Sequence, residues 1–326
     1  MLKLEEIESA AEIVATQMCA TPQLEWPLLN RASGAQVIVK HENHTPIGAF
    51  KIRGGITFVD WLQRTRPDAR GIVTATRGNH GQSIARAASA VGLIAKILVP
   101  NGNSQEKNDA MRGFGAELIV HGNDFDEARI EAHRISRDED LCFVPPFHRE
   151  LVRGVATYAL ELLTAYSDLD TVYVPIGCGS GVCGLIQTRD ALGLATRIVG
   201  VVSENASAGK LSAEAGRPIE TNSADTFADG IAVRVPVPEA VEIYSRGTDR
   251  ILAVSDAEIV EAVRLYFRAT HNVAEGAGAA PLAGLMKESD RMSGRKVGLI
   301  LSGGNIDAGW LTDVLNGRIP PRGSAA

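Results

Sequence analysis

The sequence predicts an α/β protein in which parallel strands are covered by helices. Two observations lead to this fold class. Short apolar runs rich in β-branched residues alternate along the chain with segments of helical periodicity. Gly-rich segments directly follow three of these runs, as expected where a parallel strand turns into a helix. The chain has 326 residues, 45% of them hydrophobic, so it is long enough to bury a sizeable core and to divide into two domains.

Each predicted strand is a short run of apolar and β-branched residues bounded by turn-forming residues. In chain order these runs are QVIVKH (36–41), GIVTA (71–75), AKILVP (95–100), ELIVHG (117–122), TVYVPIG (171–177), RIVGVVS (197–203), RILAVS (250–255) and KVGLILSGG (296–304). The acidic N-terminus has a helical pattern, and helices are predicted between the strands at about 51–65, 79–92, 104–114, 124–139, 148–165, 182–193, 256–270 and 276–291.

Charge and composition exclude several classes of protein. The chain carries 33 Lys and Arg against 39 Asp and Glu, a net charge of −6, and has no long basic run, so nucleic-acid binding is not expected. It lacks both a signal-peptide pattern and an apolar stretch long enough for a membrane span. Four cysteines without a CxxC pair do not suggest a disulfide scaffold. We therefore expect a cytoplasmic protein with neither a nucleic-acid nor a membrane partner.

The three Gly-rich segments TRGNHG, GCGSG and SGGN end predicted strands from distant parts of the chain, which suggests one shared site. In PIGCGSGVCG the glycines allow backbone N–H groups to approach an anion, and the following helix start adds its dipole. Phosphate binding is the natural interpretation, although such turns also serve tight packing alone. The segment matches neither a P-loop nor a convincing dinucleotide fingerprint.

Lys51 lies in GAFKIRG, between an aromatic residue and a Gly pair. An isolated lysine at this kind of position is usually solvated, whereas covalent catalysis through an imine requires a desolvated amine beside an anion site. His80 has an alternative, purely structural interpretation as a buried histidine. Ser302 likewise has one, as a helix cap or a turn-forming residue.

Taken in order, GAFKIRG, RGNHGQ, GCGSG, ADG (228–230) and LSGGN resemble the fold-type II, pyridoxal-phosphate-dependent family that includes threonine/serine dehydratases and serine racemase. The resemblance implies two open, twisted, mostly parallel sheets flanked by helices, as in tryptophan synthase β. It also implies a large cofactor-binding domain, residues 1–45 and 145–326, and a small mobile domain, residues 46–144, that grips the substrate.

The resemblance further implies roles for individual residues. Lys51 matches the catalytic lysine that holds pyridoxal 5'-phosphate as an imine, Phe50 lines the cofactor slot, Asn79 bonds the cofactor's phenolic oxygen, Ser302 meets the pyridine nitrogen, and Glu275 lies near the ring. The implied phosphate cradle is Gly177, Cys178, Gly179, Ser180 and Gly181. The implied substrate-binding residues are Thr76, Arg77, Gly78, Asn79 and His80.

The implied reaction is β-elimination from a β-hydroxy-α-amino acid, giving a 2-keto acid and ammonia. Threonine or serine is the default substrate, and 3-hydroxyaspartate or phenylserine stays open. A β-replacement synthase of the same fold and a non-catalytic ligand-binding homologue are the alternatives. Biosynthetic threonine deaminases carry an effector-binding domain after the catalytic unit, whereas only about 20 residues follow SGGN here. We therefore expect a catabolic enzyme without that form of feedback regulation.

The sequence departs from the family in two places. Thr76 and Arg77 stand where relatives have two serines, the second of which transfers a proton in the racemases. A guanidinium cannot donate and accept a proton at neutral pH, so racemisation is not expected. Arg77 either pairs with a substrate carboxylate or forms a surface ion pair. Val202 and Ala208 replace the carboxylates that bind a cation in many relatives, so no metal is expected, with Glu204 as one nearby oxygen ligand. His148 is expected to start a helix, and a homodimer is left open.

Overall fold

The computed structural model describes residues 1–321 of the chain, and its strands form two sheets. The strands are β1 (Gln23–Glu25), β2 (Gln36–His41), β3 (Gly71–Ala75), β4 (Ile94–Val99), β5 (Glu117–Val120), β6 (Cys142–Phe143), β7 (Thr171–Pro175), β8 (Arg197–Ser203), β9 (Arg250–Val254) and β10 (Lys296–Leu301). The larger sheet has the order β1-β2-β10-β7-β8-β9, and the smaller has the order β5-β4-β3-β6. Neighbouring strands run parallel except β1, which is antiparallel to β2.

Helices occupy most of the connections between strands. They are α1 (Leu4–Ala15), α2 (Pro27–Ser33), α3 (Lys51–Thr65), α4 (Asn79–Ser89), α5 (Gln105–Gly113), α6 (Phe125–Asp138), α7 (Arg149–Ala165), α8 (Ser180–Ala191), α9 (Ala208–Ala215), α10 (Pro238–Gly247), α11 (Asp256–Thr270), α12 (Gly276–Lys287), α13 (Ser289–Met292) and α14 (Ala308–Leu315). The predicted fold class, mostly parallel sheets flanked by helices, is confirmed.

The central strands of the larger sheet are buried on both faces, which explains their nearly continuous apolar sequences. In β2, Val37 and Val39 pack into one core with α11 and α12, whereas Ile38 between them packs into the opposite core with α7 and α8. This alternation follows from the two-residue period of a strand. The smaller sheet is likewise covered on two sides, with Ile72 in one core and Val73 in the other.

This topology places the Gly-rich loops. The loops that follow β7 and β10 leave neighbouring strands of the larger sheet at the same edge, because parallel strands share their carboxyl ends. The third loop follows β3 of the smaller sheet, whose strands all fall between residues 71 and 143. None of the helices in the described part of the chain combines the length and the apolar character that a membrane crossing requires.

All eight predicted strands are present, with ends that differ by up to three residues. The predicted helix at 276–291 is divided into α12 and α13, and the helix predicted from 182 begins earlier, at Ser180. His148 caps α7, and its ring Nδ1 accepts a hydrogen bond from the Glu150 N–H at 3.2 Å, as expected for a residue that starts a helix.

Candidate active site

Lys51 is the first residue of α3, and its backbone is fixed from two sides. The Ser83 hydroxyl of α4 donates a hydrogen bond to the Lys51 carbonyl at 2.7 Å. The preceding N–H of Phe50 donates to the carbonyl of Ser302, at the end of β10, at 3.0 Å. The start of α3 is therefore tied both to the smaller-sheet helix α4 and to the larger sheet.

The Lys51 side chain is half-buried, and its amine is partly desolvated. Its Nζ lies 3.4 Å from the Ser180 hydroxyl and 5.2 Å from the centre of the Phe50 ring. Burial lowers the pKa of Lys51, an effect that the nearby Cys178 and Glu275 partly oppose. A lowered pKa increases the fraction of neutral amine, which is the nucleophilic and proton-accepting form.

Residues 177–181 form a loop from the end of β7 into α8. Gly179, just before α8, has φ of 99°, a left-handed conformation that favours glycine. A Cβ atom at Gly179 would lie 2.6 Å from Ala240 Cβ, and one at Gly177 would clash with the Gly230 carbonyl oxygen. Both positions thus exclude side chains, and the N–H groups at the start of α8 have no preceding helical carbonyl to pair with.

The loop after β3 carries the predicted substrate residues. The Thr76 hydroxyl accepts a hydrogen bond from the Gly78 N–H at 3.0 Å and so shapes the turn into α4. His80 is buried, and burial, reinforced by the Lys51 charge, lowers its pKa to about 3. The ring is therefore neutral at ordinary pH. Its Nε2 has no hydrogen-bond partner among the described residues, so it could accept a bond from a substrate.

Asn79 joins this loop to the larger sheet. Its amide NH₂ donates to both Glu275 carboxylate oxygens, at 2.9 and 3.0 Å, and its amide oxygen accepts a bond from Asn305 at 2.8 Å. Burial raises the pKa of Glu275, with the charge of Lys107 as the main opposing effect. Ser302 is buried close by at the end of β10. The structure thus brings Asn79, Glu275 and the SGGN loop together.

Three further residues at this place were not among the predicted site residues. Lys107 of α5 forms an ion pair of 2.7 Å with Asp229, and Asn305 holds the Asn79 amide. The ADG and SGGN motifs contain Asp229 and Asn305, so the motifs could have indicated them, whereas no pattern indicated Lys107. A small, partly open cavity is lined by Lys107, Phe227, Asp229, Gly230, Glu275, Gly276, Ala277, Asn305, Ile306 and Trp310.

The described residues contain no cluster of potential metal ligands. In residues 1–321, no group of three or more His, Cys, Asp or Glu side chains is arranged to hold a metal ion. Glu204, the oxygen ligand considered from the sequence, forms an ion pair with Lys287 at 3.2 Å.

These features fit a phosphorylated aldehyde cofactor. A partly desolvated amine can form an imine, and the Lys51 amine lies beside a glycine-rich loop at the N-terminus of an α-helix, where backbone N–H groups favour a phosphate. The residues able to hold such a group are Lys51 for its aldehyde and residues 177–181 for its phosphate.

Comparisons with known proteins agree with this geometry. The profile of the family described as "pyridoxal-phosphate dependent enzyme" matches residues 14–303. The L-threonine ammonia-lyase of Thermotoga maritima is 32% identical over 317 residues, covering 97% of this chain and 79% of that protein. The structure of the processed form of threonine deaminase isoform 2 from Solanum lycopersicum superposes with a TM-score of 0.88 at 26% identity, covering 97% of this chain and 94% of that one.

Biosynthetic threonine dehydratases are longer than the matched region. The enzyme of Pasteurella multocida is 33% identical over 290 residues, which cover 88% of this chain but only 56% of that protein. The chain thus spans a little over half the length of this relative.

Proposed function

The chain belongs to the pyridoxal-phosphate dependent enzyme family, as its motifs predicted, and we propose that it catalyses β-elimination from a β-hydroxy-α-amino acid, with threonine or serine as the default substrate. The predicted cofactor, pyridoxal 5'-phosphate, is confirmed by the family. Relatives of about 32% identity over most of the chain are threonine ammonia-lyases, which supports the elimination reaction. The observation that carries the proposal is the partly desolvated Lys51 amine, which lies 3.4 Å from the Ser180 hydroxyl of the glycine loop, residues 177–181.

Each residue has a proposed task in the reaction. When bound, pyridoxal phosphate accepts the electron pair left when the substrate's Cα–H bond breaks. Lys51, once its amine is free, takes the Cα proton, and its lowered pKa increases the fraction of amine in the neutral, proton-accepting form. The substrate carboxylate is bound by the Arg77 guanidinium and by the N–H groups of Asn79 and His80, which start α4 in the 76–80 loop. The β-hydroxyl leaves as water, and hydrolysis of the product releases a 2-keto acid and ammonia.

The environment of Ser302 favours elimination over other outcomes. A serine hydroxyl carries no negative charge, so at the end of β10 it cannot hold a pyridine nitrogen protonated as a carboxylate would. Prompt departure of a β-leaving group is then favoured over a long-lived carbanion. Phe50, Asn79 and Glu275 complete the proposed cofactor contacts.

We also propose that residues 46–144 form a small, mobile substrate-gripping domain and that residues 1–45 with 145–326 form the large cofactor-binding domain. The smaller sheet lies wholly within the first of these segments, which supports the division. A homodimer and a cytoplasmic location stay predictions, which light scattering and cell fractionation would check.

The experiment that tests the function is a substrate panel read by keto-acid release. Threonine, serine, 3-hydroxyaspartate and phenylserine are offered to the purified protein and to its Lys51→Ala variant. We expect keto acid from at least one substrate and a loss of turnover of at least a thousandfold in the variant, because Lys51 is proposed both to hold the cofactor and to move the proton. Lys210→Ala, which removes a surface lysine paired with Glu214, is the control and should retain full activity.

Two results would reject the proposal. If the cofactor-loaded protein binds these amino acids but releases no keto acid from any of them, the protein is a ligand-binding homologue. If O-acetylserine and sulfide give an amino acid faster than keto acid is released, it is a β-replacement synthase.

A further inference from the structure

One buried tyrosine contacts both halves of the proposed cofactor site without belonging to any of the motifs. Tyr158 lies in the middle of α7 with 0% of its surface exposed. Its hydroxyl donates a hydrogen bond of 2.8 Å to the carbonyl oxygen of Gly181. Its ring meets the Phe50 ring edge to face, with centroids 6.2 Å apart and planes at 87°. Tyr158 thus joins the glycine loop to the residue beside Lys51.

The Gly181 carbonyl lies in the first turn of α8, so a hydrogen bond to it affects the N–H groups of that turn. The first N–H of this helix turn to pair with a backbone carbonyl is that of Cys183, which donates to Gly179 at 2.9 Å. The N–H of Val182 comes before it and shares one peptide unit with the Gly181 carbonyl. A hydrogen bond donated to that carbonyl polarises the peptide unit, so the Val182 N–H becomes a stronger donor.

Burial keeps the Tyr158 hydroxyl protonated, so that it can donate a hydrogen bond. Burial raises the pKa of Tyr158 far above its usual value, and the negative charge of Glu42 acts in the same direction. The phenol is therefore neutral and retains its proton at every working pH. Both aromatic residues border Gly181, because a Cβ atom there would lie in ordinary van der Waals contact, at 3.7 Å, with the Tyr158 hydroxyl and with the Phe50 ring.

We propose that Tyr158 is a positioning residue for the phosphate subsite. Its hydroxyl fixes the first turn of α8 and strengthens the N–H donors there, so that pyridoxal phosphate is bound more tightly through its phosphate group. This inference rests on the proposed phosphate role of residues 177–181, but it does not depend on which amino acid is the substrate or on whether elimination takes place.

The test is cofactor binding by Tyr158→Phe, which removes the hydroxyl and keeps the ring. The full chain, freed of cofactor, is titrated with pyridoxal phosphate and, separately, with pyridoxal, which has the aldehyde but no phosphate; imine absorbance reports binding. We expect affinity for pyridoxal phosphate to fall roughly twofold to threefold, because the lost bond lies within the protein and the phosphate loses only its polarising effect, a fraction of one hydrogen bond. Affinity for pyridoxal should be unchanged, because the Lys51 amine and the Phe50 ring stay in place.

Tyr173→Phe is the matched control. It also removes one hydroxyl from a buried tyrosine, whose hydrogen bond of 2.8 Å goes to Glu288 and not to the glycine loop. This variant should bind both ligands as the unaltered protein does. Thermal unfolding of the cofactor-free proteins should give similar losses of Tm in the two variants.

Three results would overturn the inference. Equal weakening for pyridoxal phosphate and pyridoxal would show that Tyr158 acts through Phe50 and Lys51 or through general stability. Unchanged affinity for pyridoxal phosphate would show that its hydroxyl does not act on the phosphate. Equal losses of cofactor affinity in Tyr158→Phe and Tyr173→Phe would show a non-specific effect. Because no substrate is present, failure of the keto-acid panel would reject the proposed reaction and leave this inference standing.

Discussion

At the residue scale, Arg77 is the clearest departure of this chain from its family. It is half-buried in the loop between β3 and α4, directly before Gly78 and two residues before Asn79. The surface ion pair considered from the sequence is not seen, since within residues 1–321 the Arg77 guanidinium has no hydrogen-bond or ion-pair partner. A guanidinium without a protein partner beside the proposed substrate loop favours a substrate carboxylate as its partner.

Arg77→Ala is therefore expected to weaken substrate binding and leave the cofactor in place. Loss of a charge-assisted bond to a carboxylate typically costs about 1.5–3 kcal/mol, so KM for the amino acid should rise about tenfold or more. Steady-state kinetics measures KM, and imine absorbance checks the cofactor. Arg64→Ala, which removes an exposed arginine paired with Asp60 in α3, is the charge-matched control.

A different result would reassign Arg77. If Arg77→Ala lost its cofactor absorbance but turned over normally with excess pyridoxal phosphate, Arg77 would bind the cofactor and not the substrate.

At the scale of elements, α3 is anchored beneath Lys51 by a buried cluster of charges. Arg53, two residues after Lys51, pairs with Glu42 through two hydrogen bonds of 2.7 and 2.9 Å and with Glu161 at the same two distances. Lys40 also pairs with Glu161, so two cations balance two carboxylates. Because β2, α3 and α7 each contribute to the cluster, it fixes the start of the helix that presents Lys51.

Arg53→Met is expected to destabilise the protein strongly. Removing one partner of a buried ion pair leaves unpaired buried charges and typically costs about 3–5 kcal/mol. The free energy of unfolding, measured in urea, gives the loss, and Arg53→Lys should recover only part of it, because an ammonium cannot form the paired bonds of a guanidinium. Arg64→Met removes an exposed i,i+4 ion pair and should cost less than about 0.5 kcal/mol. Similar losses in Arg53→Met and Arg64→Met would contradict an anchoring role.

The sequence predicted the elements whose pattern is local and missed those that depend on distant partners. The eight long apolar runs became strands, and the helix predicted at 51–65 has the same bounds as α3. In contrast, β1 has three residues and β6 has two, too few to show periodicity, and each exists because a neighbouring strand pairs with it. The short helix α2 begins at Pro27, a start signal that its few residues do not reinforce.

At the scale of the whole molecule, the motifs predicted which residues approach one another but not what holds them together. Lys51, Asn79, Glu275 and the glycine loop could be placed because the family motifs name them. Lys107 could not be predicted, since its partner Asp229 is 122 positions away in the chain and only the packing of the two sheet-containing parts brings them within 2.7 Å.

Several polar contacts cross between the proposed small and large domains at this place. Besides the Lys107–Asp229 ion pair, the Ser104 hydroxyl donates to Asp307 at 2.7 Å, and the Ala308 N–H donates to Glu106 at 3.0 Å. All three contacts involve the first turn of α5 or the residue before it, and Lys107 and Asp229 also line the cavity next to Glu275. We interpret this arrangement as a closed state in which these contacts hold α5 over the site and restrict the entry of water.

Asp229→Asn is expected to loosen this closed state, because it removes the charge that attracts Lys107 while keeping the shape of the side chain. Hydrogen exchange of the cofactor-loaded protein should become faster in α5 and in residues 305–308, and KM for the substrate should rise severalfold. Asp109→Asn is the control: it makes the same substitution on α5, but Asp109 is exposed and pairs within the helix with Arg112. Faster exchange confined to the residues next to Asp229, with α5 unchanged, would show that the ion pair is a local contact. Faster exchange in α5 for Asp229→Asn but not for Asp109→Asn would show instead that the single Lys107–Asp229 ion pair couples the two domains across the proposed active site.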